Sequence, residues 1–287
     1  MLVLTAVSAM GALTFALATL LVVAHRRLRV FEDPRIDAVE ELLPRANCGA
    51  CGYPGCRPFA EALVRKETSP ARCTVSDDPG RRAVAELLGV EVGETRRLVA
   101  RLACAGGANV TRRRARYDGV ESCRAVALAA GGDKACAYGC LGRGDCADAC
   151  AFGAIRMNPQ GLPVVLEDRC TACGDCVDVC PKDLFSLQPA TQRLWVACAS
   201  QAAGDEVLDA CEVGCTGCGK CAMDAPGAVS MNDQLAAVDP RAGRFPRGAI
   251  DRCPTGAIVW LGDDGRPERG RVALPVVRQG PRPPAST

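Results

Sequence analysis

The chain is poor in the side chains most enzymes use for proton chemistry. One histidine and three tyrosines stand among 287 residues, which leaves little material for general acid–base catalysis. Aromatic residues make up 4%, too few for a large aromatic core. The formal net charge is +2, so global charge gives no reason to expect nucleic acid as a partner. No P-loop is present. Gly142-x-Gly144 followed by Ala147 mimics part of a dinucleotide fingerprint, but it lies between cysteines and follows no strand pattern. Nucleotide and flavin chemistry is therefore not expected on this chain.

What is abundant is cysteine, with 20 residues. That density belongs to a disulfide scaffold or to a metal protein. Disulfide scaffolds are usually short secreted chains with cysteines spread along loops. Here most cysteines stand in tight groups, which is metal-ligand spacing. Bound clusters would also supply the cross-linking that a sparse apolar core does not.

Leu2 to Ala24 is an uncharged run of 23 residues, followed at once by His25, Arg26, Arg27 and Arg29. A secretory signal has its positive charge before a shorter apolar core. The reversed arrangement predicts an uncleaved anchor in the inner (plasma) membrane, and the positive-inside rule places everything after Arg26 in the cytoplasm. A cleaved signal with an exported domain is the alternative. A reducing cytoplasm suits thiolate ligands.

The expected fold class is α+β: one transmembrane helix, a small [4Fe–4S] domain, and two ferredoxin-like modules, the second degenerate. The predicted boundaries are 1–25 for the anchor and 26–80 for the first cluster domain. A helical or linker region follows at 81–130, a two-cluster module at 131–190, a one-cluster module at 191–262 and a disordered tail at 263–287. Helical spacing appears at Ile36, Val39, Leu42 and Leu43, and again across 80–102. The two modules are read from a repeat. CAFGAI from Cys150, CPKDLF from Cys180 and CPTGAI from Cys253 share one form, and APGAV from Ala225 is a worn copy. Each unit should lead into a short strand.

Cys170-x2-Cys173-x2-Cys176-x3-Cys180-Pro181 is the bacterial ferredoxin run. Its partner is the expanded Cys136-x3-Cys140-x5-Cys146-x3-Cys150, with Ala151 in place of proline. In two-cluster ferredoxins the fourth cysteine of each run serves the other cluster. The crossed rule predicts one cluster on Cys136, Cys140, Cys146 and Cys180, and another on Cys150, Cys170, Cys173 and Cys176. In the second module Cys215, Cys218 and Cys221 form a three-corner loop, Ala225 replaces a fourth cysteine, and 238–252 has none. The expected cluster there uses Cys253 as its fourth ligand; a rival uses Cys211. Cys48, Cys51, Cys56 and Cys73 predict a fourth cluster, with structural zinc as the alternative. The total is four [4Fe–4S] clusters. Cys104, Cys123, Cys198 and Cys211 are left over. They read as small buried apolar residues; a further cluster built from all four lacks any loop spacing.

The N-terminal span, CGACGYPGC from Cys48 and GGDKACAYGCLGRGDC from Gly131 together resemble the B subunit of the Rnf (Rsx) complex. The resemblance covers about residues 1–260 and is most specific over 45–73 and 131–181. That family is a membrane-bound, ion-translocating ferredoxin:NAD⁺ oxidoreductase. The resemblance implies a relay that meets soluble ferredoxin and passes single electrons to membrane and NAD- and FMN-binding subunits. By it, Cys48, Cys51, Cys56 and Cys73 match the first cluster. The cysteines from Cys136 to Cys180 match the two-cluster domain. The chain alone should carry electrons without complete turnover. Two other readings are an electron-feeding subunit of a different membrane oxidoreductase and an iron–sulfur redox sensor.

Overall fold

The computed structural model describes residues 2–28, 32–94, 96–263 and 265–276. Helix α1 (Leu2–Leu28) takes in the whole apolar run. At about 1.5 Å per residue it is about 40 Å long, enough to cross a hydrocarbon layer. None of Leu4–Leu28 is buried against the rest of the chain. The hydroxyls of Ser8, Thr14 and Thr19 donate back to the carbonyls of Thr5, Met10 and Phe15, which satisfies them without water.

The first cluster unit packs α2 (Pro34–Leu42), α3 (Cys56–Val64) and α4 (Asp78–Leu88) around Val39, Phe59, Leu63 and Val84. Asp33 and Asp77 cap α2 and α4, accepting the N–H of Arg35 and Gly80, and each helix opens with a proline in its first turn. Gly89 ends α4 in the left-handed region, at φ 61°. The stretch 80–102 is thus not helical throughout as its spacing suggests. Val84 and Leu88 close the first unit's core, while Leu98–Leu102 is strand β1, with Val99, Ala100 and Arg101 all buried. Its partner lies 80-odd residues away in sequence, so no local pattern could show it.

The first ferredoxin-like module contains α5 (Cys123–Leu128), α6 (Asp145–Asp148), β2 (Ile155–Met157), β3 (Pro163–Val165), α7 (Asp175–Asp178) and β4 (Phe185–Pro189). The second contains β5 (Leu194–Val196), α8 (Gly204–Ala210), α9 (Lys220–Asp224), β6 (Val229–Asn232), β7 (Leu235–Val238), β8 (Ile258–Leu261) and β9 (Pro267–Arg269). Both follow one plan. A central hairpin, β2–β3 or β6–β7, is accompanied by an antiparallel pair of outer strands, β1–β4 or β5–β8. The four sequence repeats lead into β2, β4, β6 and β8, as expected. The buried guanidinium of Arg101 pairs with Glu167 and ties β1 to the first module. The predicted tail is shorter than 263–287: β9 pairs with β8, and the Val272 N–H donates to the Asp251 carbonyl. Residues 277–287 of that tail lie outside the described residues.

Candidate iron–sulfur sites

All twenty cysteines are free thiols. Cys150, Cys170, Cys173 and Cys176 line one cavity with ≈ 330 Å³ of space free of protein atoms. The run from Cys170 wraps it because Ala172 and Gly174 sit at φ 57° and 99°. The Ala100 N–H donates to Cys170 Sγ at 3.4 Å and the Ala154 N–H to Cys150 Sγ at 3.3 Å. Such bonds orient a thiolate and tune the potential of what it ligates. Burial, then the charges of Cys170, Cys173 and Cys150, push the Cys176 thiol up to about 12. Four thiolates this close repel one another until a cationic core sits between them.

A second cavity of ≈ 350 Å³ is lined by Cys215, Cys218, Cys221 and Cys253. Cys253, and not Cys211, borders it. Where a ferredoxin would hold its other cluster, this module packs Ala225, Ala249 and Ile250, each at 3% exposure or less. Apolar side chains fill that space.

Near the N-terminal unit, Cys73 is buried, and its thiol is raised by burial and by the charges of Cys51 and Cys56. Cys48 opens the same loop and is half-buried. Gly49 and Gly52, at φ 75° and 86°, turn this loop. Gly55 is extended; its role is space, since a Cβ there would meet Asn47 Oδ1 at 3.0 Å. That oxygen accepts the Cys56 N–H at 2.8 Å and staples the loop to α3.

The remaining predicted group is divided. Burial comes first in raising Cys146 to about 12, followed by the charges of Cys140, Cys123 and Cys180. Cys123, read from the sequence as a leftover, stands where Cys136 was expected. Cys136 lines a different cavity. Three residues separate it from Cys140, and the turn closed by Gly139 N–H to the Cys136 carbonyl parts the two. No local spacing could have found Cys123, which lies 17 residues upstream of Cys140.

Among the described residues, no three Cys, His, Asp or Glu side chains gather closely enough for one metal ion. A zinc ion, with Zn–S of about 2.3 Å, would draw its sulfurs to about 3.8 Å of each other. The sets at Cys150–Cys176 and Cys215–Cys253 instead surround open space, which fits a cube rather than an ion.

Two family models match the same regions. Residues 43–75 match one described as "Putative Fe-S cluster", and residues 135–184 match a 4Fe-4S dicluster domain. The B subunit of the ion-translocating oxidoreductase complex of Methanosarcina acetivorans is 36% identical over 253 residues, 88% of this chain and 96% of its own. The B subunit of the Na⁺-translocating ferredoxin:NAD⁺ oxidoreductase complex of Acetobacterium woodii is 35% identical, covering 83% of this chain and 72% of its own. The proton-translocating counterpart of Clostridium ljungdahlii is 38% identical, covering 82% and 84%.

The chain belongs to the family of Rnf B subunits. It is a membrane-associated, iron–sulfur electron-transfer subunit of an ion-translocating oxidoreductase complex.

In this Rnf protein, Asp145 organises the divided site. Its carboxylate accepts the Cys123 N–H at 2.8 Å, the Ser122 hydroxyl at 2.8 Å and the Arg124 N–H at 3.2 Å. From the first residue of α6 it thereby caps α5 and holds Cys123 beside Cys146. Burial pushes its acidity the other way, but those three donors outweigh it and keep the carboxyl below the ordinary range. The stabilisation is present at neutral pH and is lost as pH falls through that lowered value. Asp145→Ala strands these donors, at a cost of about 1–3 kcal/mol. The expected result is loss of about four irons per chain, read by iron analysis, with Asp145→Asn losing less.

Proposed function

We propose that this chain is the ferredoxin-facing relay of an Rnf-type ferredoxin:NAD⁺ oxidoreductase. It sits as a single-pass protein in the inner (plasma) membrane, with its cluster domains on the cytoplasmic side. Electrons pass singly between a soluble low-potential ferredoxin and membrane and NAD- and FMN-binding partner subunits. Four [4Fe–4S] clusters follow from the loops: Cys48/Cys51/Cys56/Cys73, Cys150/Cys170/Cys173/Cys176, Cys140/Cys146/Cys180 with Cys123, and Cys215/Cys218/Cys221/Cys253. When bound, such clusters supply one-electron carriers whose potentials span roughly −700 to +450 mV. All-cysteine ligation favours the low half of that range. The units are an anchor, a first cluster domain extended to Leu88, and two ferredoxin-like modules.

The observation that carries this reading is that the sites adjoin one another. Cys73 and Cys170 border one open cleft between the first unit and the first module. Cys146 and Cys176 lie in one shared core. Charge can step along such a row.

The test is made on the full chain, purified without oxygen in detergent. Reduced ferredoxin should bleach its visible absorption rapidly, and NADH alone should not. Equal reduction by NADH alone, or copurification with a molybdenum or nickel enzyme in place of a flavin subunit, would overturn the assignment.

A further inference from the structure

We propose a fifth [4Fe–4S] site, held by Cys104, Cys136, Cys198 and Cys211 at the seam between the two ferredoxin-like modules. These four cysteines line one cavity with ≈ 340 Å³ of space free of protein atoms. The two cavities lined by ferredoxin-type loops measure ≈ 330 and ≈ 350 Å³ and carry the same number of cysteines. The four sulfurs come from distant points of the chain, which is why no loop spacing reveals them.

The ligand set is one two-cysteine unit used twice. Strand β1 runs into Leu102-Ala103-Cys104-Ala105, and its counterpart β5 runs into Val196-Ala197-Cys198-Ala199. Each module then presents a matching turn, Ala135-Cys136-Ala137-Tyr138-Gly139-Cys140 in the first and Ala210-Cys211-Glu212-Val213-Gly214-Cys215 in the second. The hydrogen bonds repeat as well. Cys104 Sγ accepts the N–H of Gly106 at 3.3 Å and of Cys140 at 3.4 Å. Cys198 Sγ accepts the N–H of Ser200 at 3.4 Å and of Cys215 at 3.3 Å. Two N–H donors on one sulfur are the environment of a ligating thiolate. The Ala105 N–H donates to the Ala197 carbonyl at 2.9 Å and holds the two copies face to face.

One further feature fits an anionic guest here. Lys134 is 5% exposed, and its Nζ donates to the Gly106 carbonyl at 2.8 Å. It makes no ion pair among the described residues, though its charge reaches Cys136 and Cys140. A buried ammonium calls for a countercharge, and a cube with four thiolates supplies one. Gly106 keeps the cavity open: a Cβ there would lie 3.3 Å from Cys211 Sγ and 3.5 Å from Cys104 Sγ.

The fifth site completes the row. Cys140, beside Cys123 and Cys146, touches Cys104 through its amide, and Cys215 touches Cys198 in the same way. The seam site lies between the last cluster and the others. With it, all twenty cysteines are ligands of five cubes.

Native mass spectrometry of the full chain, released from detergent without oxygen, tests the count. A species carrying five cubes supports the proposal; a ladder that stops at four overturns it and leaves the relay reading intact. Iron and acid-labile sulfide should be about twenty each per chain. Cys104→Ser/Cys198→Ser should lose about four of each and one reducible signal in low-temperature EPR. Unchanged iron in that variant would also overturn it. Because the ladder is read on the parent chain, the proposal stays testable if the variant fails to fold.

Discussion

A chain lacking residues 2–28 is expected in the soluble fraction, fully separated from the membrane pellet that holds the intact chain. Helix α1 leaves Leu4, Met10, Phe15 and Leu28 each more than 70% exposed. Leaving a large apolar side chain in water forgoes about 1.5–3 kcal/mol, and among the described residues α1 exposes eleven of them. A lipid core is therefore its stable environment. Since no part of the span is buried against the cluster domains, the truncated chain should keep its full iron content. Fractionation followed by iron analysis checks both halves of this expectation. A truncated chain that stays with the membrane would show that another surface is the anchor.

The second large effect concerns Cys253. Cys253→Ser should remove one whole cluster, about four irons, because it opens the only corner supplied from outside the loop of Cys215, Cys218 and Cys221. The cavity those residues share is walled by the module's own core, Val196, Ala236, Ala257 and Ile258. The damage should therefore stay within the second module. Cys211→Ser should also cost about four irons, but from the seam site. The combined variant decides between one site and two. Loss of about eight irons places the residues at separate cubes, whereas loss of about four places them at one.

Much of this arrangement was legible in the sequence because ferredoxin loops are local. Cys170, Cys173 and Cys176 sit on one short turn, and proline after Cys180 marks the chain's exit toward β4. The crossed pairing of Cys150 with that loop follows from the two-fold repeat. The damaged module was legible for the same reason, since Ala225 and the cysteine-free stretch before Arg252 fall at matching positions. What stayed hidden was set by tertiary contact. Cys123 reaches its site because Asp145 binds its amide, and neither residue advertises the other. Leu98–Leu102 keeps apolar residues at helical spacing, yet pairing with β4 makes it a strand. The helix whose spacing it continues stops at Gly89. Cys136 groups with Cys140 by spacing, whereas the folded chain sets it on one cavity with Cys104, Cys198 and Cys211.

The amide contacts at the seam bear on how fast charge moves there. Cys140 and Cys215 donate their own N–H to Cys104 Sγ and Cys198 Sγ. With clusters held at the proposed sites, these contacts would link neighbouring centres through a few covalent bonds and a single hydrogen bond, with no jump through empty space. The conductance of that step is built into the main chain, so repacking nearby side chains should alter it little.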